Sequence, residues 1–312
     1  MANFVVERKS PQELTQEDIE TLVKWTTDAG WDPHVRPSDI SHMYGGPPYL
    51  NAKIFFGFLD GKRIGHVALI TVGNSTDVME YITMFIMDKP LRGKGYGLKI
   101  WNAMWECRDT SANTYLDAVT KMSSNYESMG LNIVEWDNRE YIIPLSAIAV
   151  KYKMTERIGN VLTKPLSEVE LDKIVEYDAM VYGIRRPVLI KKWTAVPESF
   201  TWVGVNEKGD VVGCITIREG ADKQDAIVGP LFSDNLEIAK KLMYIAAQTM
   251  SSQTSSKNLR ILMCVQTRES NAIQMIESDF GVKCCANFLR MCSKKSKVDI
   301  SKIISIHSLG YG

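Results

Sequence analysis

The sequence predicts an α/β protein built from two copies of one mixed-sheet unit. Three observations carry this. At 312 residues the chain exceeds one ordinary hydrophobic core, so two domains are expected. Asp60-Gly61, between the β-rich runs "AKIFFGFL" and "KRIGHVALITV", is a hairpin signal. Finally, "FFGFLDGKRIGHVALITV" (55–72) has a counterpart in "WVGVNEKGDVVGCITIRE" (202–219), each a strand, a turn and a glycine-initiated apolar strand.

In chain order, a short strand over about 4–8 leads into "TQEDIETLVKWTTDAGW". There Thr15 and Asp18 fit a capping box, Ile19, Leu22 and Val23 share a helix face, and Gly30 ends the helix. Residues 31–49 hold four prolines and read as loop, with one short helix near Ile40. The hairpin and "VMEYITMFIM" then make three consecutive antiparallel strands. A glycine-rich turn follows, and a helix over about 96–108 with Leu98, Trp101, Met104 and Trp105 at helical spacing. "TYLDAV" is a strand, "SSNYESMG" a helix end, and "LNIVEWDNREYIIPL" a closing hairpin. The second half repeats the order β-β-β-α-β-α-β through "AIVGPLF", "NLEIAKKLMYIAAQTM", "RILMCVQT", "NAIQMIESDFG" and "NFLRMCSK". The two units are placed at 1–152 and 153–312.

Composition narrows the function. Acidic and basic residues balance at 37 each, so no global charge argues for nucleic acid or an anionic membrane. The cluster Lys294, Lys295 and Lys297 reads as solvated surface. No stretch approaches the ~20 apolar residues of a membrane span. "MANFVVERKSPQE" carries charges where a signal peptide needs an apolar run, so a cytoplasmic protein is expected. The six cysteines form no C-x-x-C or zinc-like spacing, and the four histidines are scattered. Buried reduced thiols and no metal are the expectation.

The informative stretch is "PLRGKGYGLKIW" (90–101). It lacks the G-x-x-x-x-G-K-[ST] spacing of a Walker loop. As a Rossmann fingerprint, Gly93 and Gly95 fit but Leu98 occupies the third glycine position. Asp117 sits where that fold places its ribose-binding acid, yet a hairpin-linked antiparallel run precedes the loop. The remaining match is R-x-x-G-x-G, with Arg92, Gly95 and Gly97. A glycine turn that opens a helix presents unpartnered N–H groups and the positive end of the helix dipole, which together form an anion site. Arg92 and Lys94 add positive charge.

This motif resembles the pyrophosphate loop of the GNAT (Gcn5-related) N-acetyltransferase superfamily. "DAGWDPH", "IMDKPLRGKGYGLKIW", "LDAV" and "NYESMGL", then "YDAMVYGIRRPVLIKKW", "VGPLFSDNLEIAKKL" and "NFLRM", are similar to a subgroup in which a second GNAT-like lobe follows the first. The resemblance covers nearly the whole chain. It implies two tandem acyl-CoA N-acyltransferase lobes, and acetyl transfer from acetyl-CoA to an amine by direct attack. It further implies a cofactor site of Arg92, Gly93, Lys94, Gly95, Tyr96 and Gly97. The same resemblance implies backbone donors from the preceding strand at Phe85, Ile86 and Met87, and Tyr126 as the acid for the departing thiolate. Glu80 is the candidate base, although one residue of register separates it from Tyr81 and so from the other face of the strand. Asp32 and His34 are candidates to face the acceptor, a small amine or a peptide, and Trp31 reads as packing.

The second lobe has no such loop. Pro230 offers no N–H, Asp234 puts negative charge at the helix start as its expected cap, and Glu277 stands where the first lobe has Tyr126. One CoA site per chain and a monomer are expected. A different class of function, a catalytically silent CoA-binding or scaffold protein, keeps the same fold.

Overall fold

The computed structural model describes residues 3–30, 40, 50–75, 77–153, 157–158, 160–265 and 271–309. Asp32, His34 and Trp31 lie outside the described residues, as do the four prolines of that loop.

After β1 (Phe4–Lys9), the capping box forms as read: the Asp18 amide donates to Thr15 Oγ1 at 3.2 Å and the Thr15 amide to Asp18 Oδ2 at 2.9 Å, opening α1 (Gln16–Asp28). Asp18 also takes Lys9 and Arg63 at 2.8 Å each, tying the helix to the sheet. Then β2 (Leu50–Leu59), β3 (Lys62–Gly73) and β4 (Val78–Met87) form the expected antiparallel meander. Asp60 and Gly61 both have positive φ, 49° and 79°, as a type I′ hairpin turn demands.

Next come α2 (Tyr96–Trp105), β5 (Asn113–Val119), α3 (Ser123–Ser128), β6 (Ile133–Pro144) and α4 (Leu145–Lys151). Trp101 and Met104 of α2 are buried as the spacing predicts, whereas Leu98 stands on the surface. The second half runs β7 (Arg157–Ile158), β8 (Val161–Pro165), α5 (Leu171–Tyr182), α6 (Pro187–Thr194), β9 (Ser199–Val205), β10 (Val211–Glu219) and β11 (Asp225–Ser233). It continues with α7 (Leu236–Gln253), β12 (Asn258–Val265), α8 (Asn271–Phe280), β13 (Ala286–Cys292) and β14 (Ile303–Ser305).

These strands make one mixed sheet in the order β1-β2-β3-β4-β5-β13-β6-β12-β14-β11-β10-β9-β8-β7. The two halves are laced together. β13, from the end of the chain, sits between β5 and β6, and β6 in turn pairs with β12. Residues 131–145 are therefore not the expected hairpin. They hold one continuous twelve-residue strand, because both of its edges are taken by strands of the second half.

A buried polar row fastens this seam. Arg290 of β13 donates to both Asp117 oxygens, at 2.7 and 2.6 Å, and Asn138 of β6 donates to the same carboxylate at 2.6 Å. Trp136 Nε1 and Cys264 Sγ both donate to Asn138 Oδ1. Asp117, the residue that suited a ribose-binding acid, is thus fully occupied. Above this row, Tyr81, Tyr115 and Trp136 join Tyr177, Tyr182 and Phe232 in an apolar core shared by both halves.

Helix docking repeats in both lobes. Gly57 pairs with Gly65 across β2 and β3, and a Cβ at either would come within 2.9 Å of Ile100 of α2. Gly204 pairs with Gly213 across β9 and β10 under Ile238 of α7, where a Cβ on Gly213 would come within 2.8 Å. The paired glycines let each helix settle directly on the sheet.

Candidate functional site

β4 and β5 pair in parallel for only three residues, Met79–Tyr81 against Asn113–Tyr115, and then part. The gap opens toward the C-terminal end of β4, where the glycine turn begins. Gly93 and Gly95 have φ of 75° and 83°, a conformation costing an L-residue roughly 1–2 kcal/mol. A Cβ at either would meet nothing within 4 Å, so the turn faces open space. Among the described residues, the amides of Gly93, Lys94, Gly95, Tyr96 and Gly97 have no protein acceptor; the first helical bond here is from Lys99 to Gly95. No acidic residue lies in the first turn of α2. Arg92 Nε donates to the Met87 carbonyl at 2.9 Å, fastening the turn to the strand end, and Lys94 is exposed.

A pyrophosphate fits this geometry. The five amides and the helix dipole supply donors, and the residues next to them leave room. Ile86 is buried on the α1 side of β4, while Phe85 and Met87 point to the α2 side. On that side Phe85 and Met87 meet Trp101 and Tyr126 in one cluster, with Trp101 5.5 Å from each of the Phe85 and Tyr126 rings. Tyr126, half-buried on α3, has no hydrogen-bond partner for its hydroxyl among the described residues, and burial pushes its pKa up to about 12. It stays protonated at neutral pH. The structure thus brings Tyr126, the strand end and the loop together.

Glu80 stands apart from them. It lies within the paired stretch, opposite Thr114, and is fully buried. Both carboxylate oxygens accept the Asp109 amide at 3.1 Å, and Lys53 is 3.8 Å away. Burial pushes its carboxyl above the usual range, against the pull of the Asp109 amide and Lys53. This geometry gives Glu80 the task of holding the turn between α2 and β5.

The register question has a physical answer. Ala68 pairs with Thr83 but His66 with Ile86, so β4 carries one extra residue. That bulge centres on Met84, which has φ of 52°. The α1 face is consequently formed by odd residues before the bulge, Met79 and Tyr81, and by even ones after it, Met84 and Ile86. Sequence pattern conceals such a bulge; a lone histidine in an apolar strand, His66, was the available clue.

In the second lobe, β11 and β12 also pair for three residues, Asp225–Ile227 against Asn258–Arg260, and then part. Here β14 fills the gap, antiparallel to both neighbours. A Cβ on Gly229 would come within 2.0 Å of the His307 carbonyl, which shows how tightly the tail lies on β11. The helix cap differs from expectation. Asn235, not Asp234, accepts the Ile238 amide at 3.0 Å, while Asp234 accepts from Tyr177 at 2.9 Å and Lys302 at 2.6 Å. Glu277 accepts the Tyr141 hydroxyl at 2.7 Å.

Of the cysteines, Cys214, Cys264 and Cys292 are buried, but Cys284 and Cys285 are exposed; all six are free. Lys294 is not simply solvated, since its ammonium donates to the Thr110 and Ser111 carbonyls. Among the described residues no helix is long and apolar enough to cross a membrane, and no cluster of metal-binding side chains occurs.

Residues 174–303 match the model of the GNAT acetyltransferase domain. The match falls on the lobe without the glycine turn. Holothin acyltransferase from Pseudoalteromonas sp. (strain SANK 73390) is 25% identical over 193 residues, covering 62% of this chain and 60% of that protein's length. The fold is similar to a candidate acetyltransferase from Pyrococcus horikoshii, with a TM-score of 0.70, 15% identity, and 99% and 96% of the two chains covered. It is also similar to a tandem GNAT protein from the clavulanic acid biosynthesis pathway, with a TM-score of 0.66, 9% identity, and 95% and 100% covered. Two parted strand pairs, each followed by a helix on a glycine window, agree with these comparisons: residues 174–303 match the GNAT acetyltransferase domain, and the chain as a whole has the two-lobed fold of tandem GNAT proteins.

Proposed function

We propose that the chain moves an acetyl group from acetyl-CoA to an amine, using a site in residues 1–152 with the second lobe as its support. The observation that carries this reading is the run of unpartnered amides Gly93–Gly97 beside the open gap between β4 and β5. Hydrogen bonds to charged phosphate oxygens are worth about 1.5–3 kcal/mol each, so four or five of them supply much of a micromolar affinity before ordering costs.

The bound thioester supplies an activated acyl carbon. The chain's residues do the rest. Amides at the end of β4, Phe85 to Met87, donate to the developing oxyanion. Tyr126, protonated and set in the Phe85–Met87–Trp101 cluster, donates its proton to the departing sulfur. The amine must arrive neutral. With Glu80 holding the Asp109 turn, we assign its deprotonation to solvent or to the acceptor side of the site rather than to Glu80. The acceptor is a small amine or a peptide, the protein acts as a cytoplasmic monomer, and no metal takes part.

Calorimetry with acetyl-CoA, paired with a panel of amines, tests this. One site per chain and acetylation of at least one amine class are expected. Two sites of similar affinity would refute the asymmetry between lobes. Binding without any transfer would favour a silent CoA-binding protein, a reading that the engaged Glu80 carboxylate itself supports. Tyr126→Phe should lower kcat by about 10- to 100-fold while leaving acetyl-CoA affinity near wild type.

A further inference from the structure

His66 lies on β3 with its side chain fully buried beside Phe56, ring centroids 4.9 Å apart. Its Nδ1 is 2.9 Å from the carbonyl oxygen of Met84. A carbonyl only accepts, so Nδ1 must carry the hydrogen. Met84 is the bulge residue and sits at φ 52°, a strained backbone for a long side chain. Strain of that kind persists only where something holds it.

The peptide that joins Met84 to Phe85 is trans and planar, so its N–H points opposite to its C=O. The carbonyl is drawn toward His66 on the α1 side. The Phe85 N–H therefore projects away from His66 and β3, toward the gap where β4 and β5 part. We infer that His66 is a positioning residue for acyl transfer: through Nδ1–H it locks the Met84–Phe85 peptide in the orientation that aims the Phe85 N–H at the acyl oxygen.

The inference rests on the acetyl-transfer reading and adds a part to it. The ring serves in its neutral form: burial, opposed by the Met84 carbonyl and Asp18, pushes its pKa down to about 4. His66 neither touches the reacting atoms nor moves a proton. It orients one dipole, and misorienting such a donor costs about 10- to 100-fold in rate.

Three measurements decide it. In wild-type protein, nitrogen-15 spectra should show the Nδ1–H tautomer; the hydrogen on Nε2 would overturn the proposal without reference to activity. His66→Phe, which keeps a ring but no donor, should lower kcat about 10- to 100-fold and leave the dissociation constant for CoA within about twofold. Should that variant fail to fold, His66→Asn and His66→Gln give the comparison. The asparagine amide reaches the place of Nδ1 and should restore most of kcat, whereas the glutamine amide reaches the place of Nε2 and should not. Equal activity of those two, or unchanged kcat in His66→Phe, overturns the positioning role. A wild-type protein that binds acetyl-CoA but transfers nothing instead removes the reading beneath it.

Discussion

In the first lobe β4 and β5 separate after Tyr81 and Tyr115, and among the described residues no strand enters between them. In the second lobe β11 and β12 separate after Ile227 and Arg260, and the chain's own β14 lies in the opening. The helices that follow differ in the same direction. α2 begins on bare amides with no acidic residue in its first turn, while α7 begins on the Asn235 side chain with Glu237 behind it. The same architecture thus yields one end ready for an anion and one whose donors and space are already used. A duplicated scaffold keeps its packing rules, such as the paired glycines under each helix, while its binding features are free to diverge.

The largest effect should come from the loop. Arg92→Asp combined with Gly95→Asp should weaken acetyl-CoA binding more than about 100-fold by calorimetry, with an unchanged circular dichroism spectrum, because charge and φ are both wrong for a diphosphate. Retained binding would move the site elsewhere, and the comparison between lobes would break. Arg290→Leu should come next. It leaves the Asp117 carboxylate buried without its cation, costing about 3–5 kcal/mol in urea unfolding.

Ile303→Ala, in the strand that fills the second gap, should cost about 2–5 kcal/mol through the cavity left behind. It should create no second acetyl-CoA site, since α7 has no free loop to offer; a second site in calorimetry would mean that the tail alone keeps that lobe silent. The smallest effect concerns α1. Asp18 is held to a pKa of about 2, because Lys9, Thr15 and Arg63 outweigh the upward push of burial. Its folded pKa lies below the ordinary 3.8, so its stabilisation is full above about pH 4 and fades as pH falls through 2. The whole contribution is about 2 kcal/mol. Asp18→Asn should flatten the acid limb of the unfolding curve.

What could be read from the sequence was what is written locally. The capping box at Thr15 and Asp18, the turn at Asp60-Gly61 and the loop around Gly95 each depend on residues a few positions apart. The repeat between 55–72 and 202–219 was equally legible, because duplicated strands and turns keep their pattern. Strand exchange was not. Alternation along 133–144 tells that a strand is half-buried, not that its neighbours arrive more than a hundred residues later. The surroundings of Glu80 were hidden for a similar reason, since its partner amide at Asp109 is 29 residues away. The bulge at Met84 changes the face of every residue after it and leaves no mark on composition.

The placement of β13 between β5 and β6 has a consequence for how this molecule comes into being. Asp117 waits for Arg290, 173 positions downstream, before the middle of the sheet can close. A nascent chain leaving the ribosome would hold the loop-bearing lobe with raw edges on β5 and β6 until β12 and β13 have been made, a situation that slows folding and invites chaperones. Closure of the first half's sheet is thereby made conditional on synthesis through β13, so a product terminated before Arg290 would offer aggregation-prone strands instead of a folded fragment.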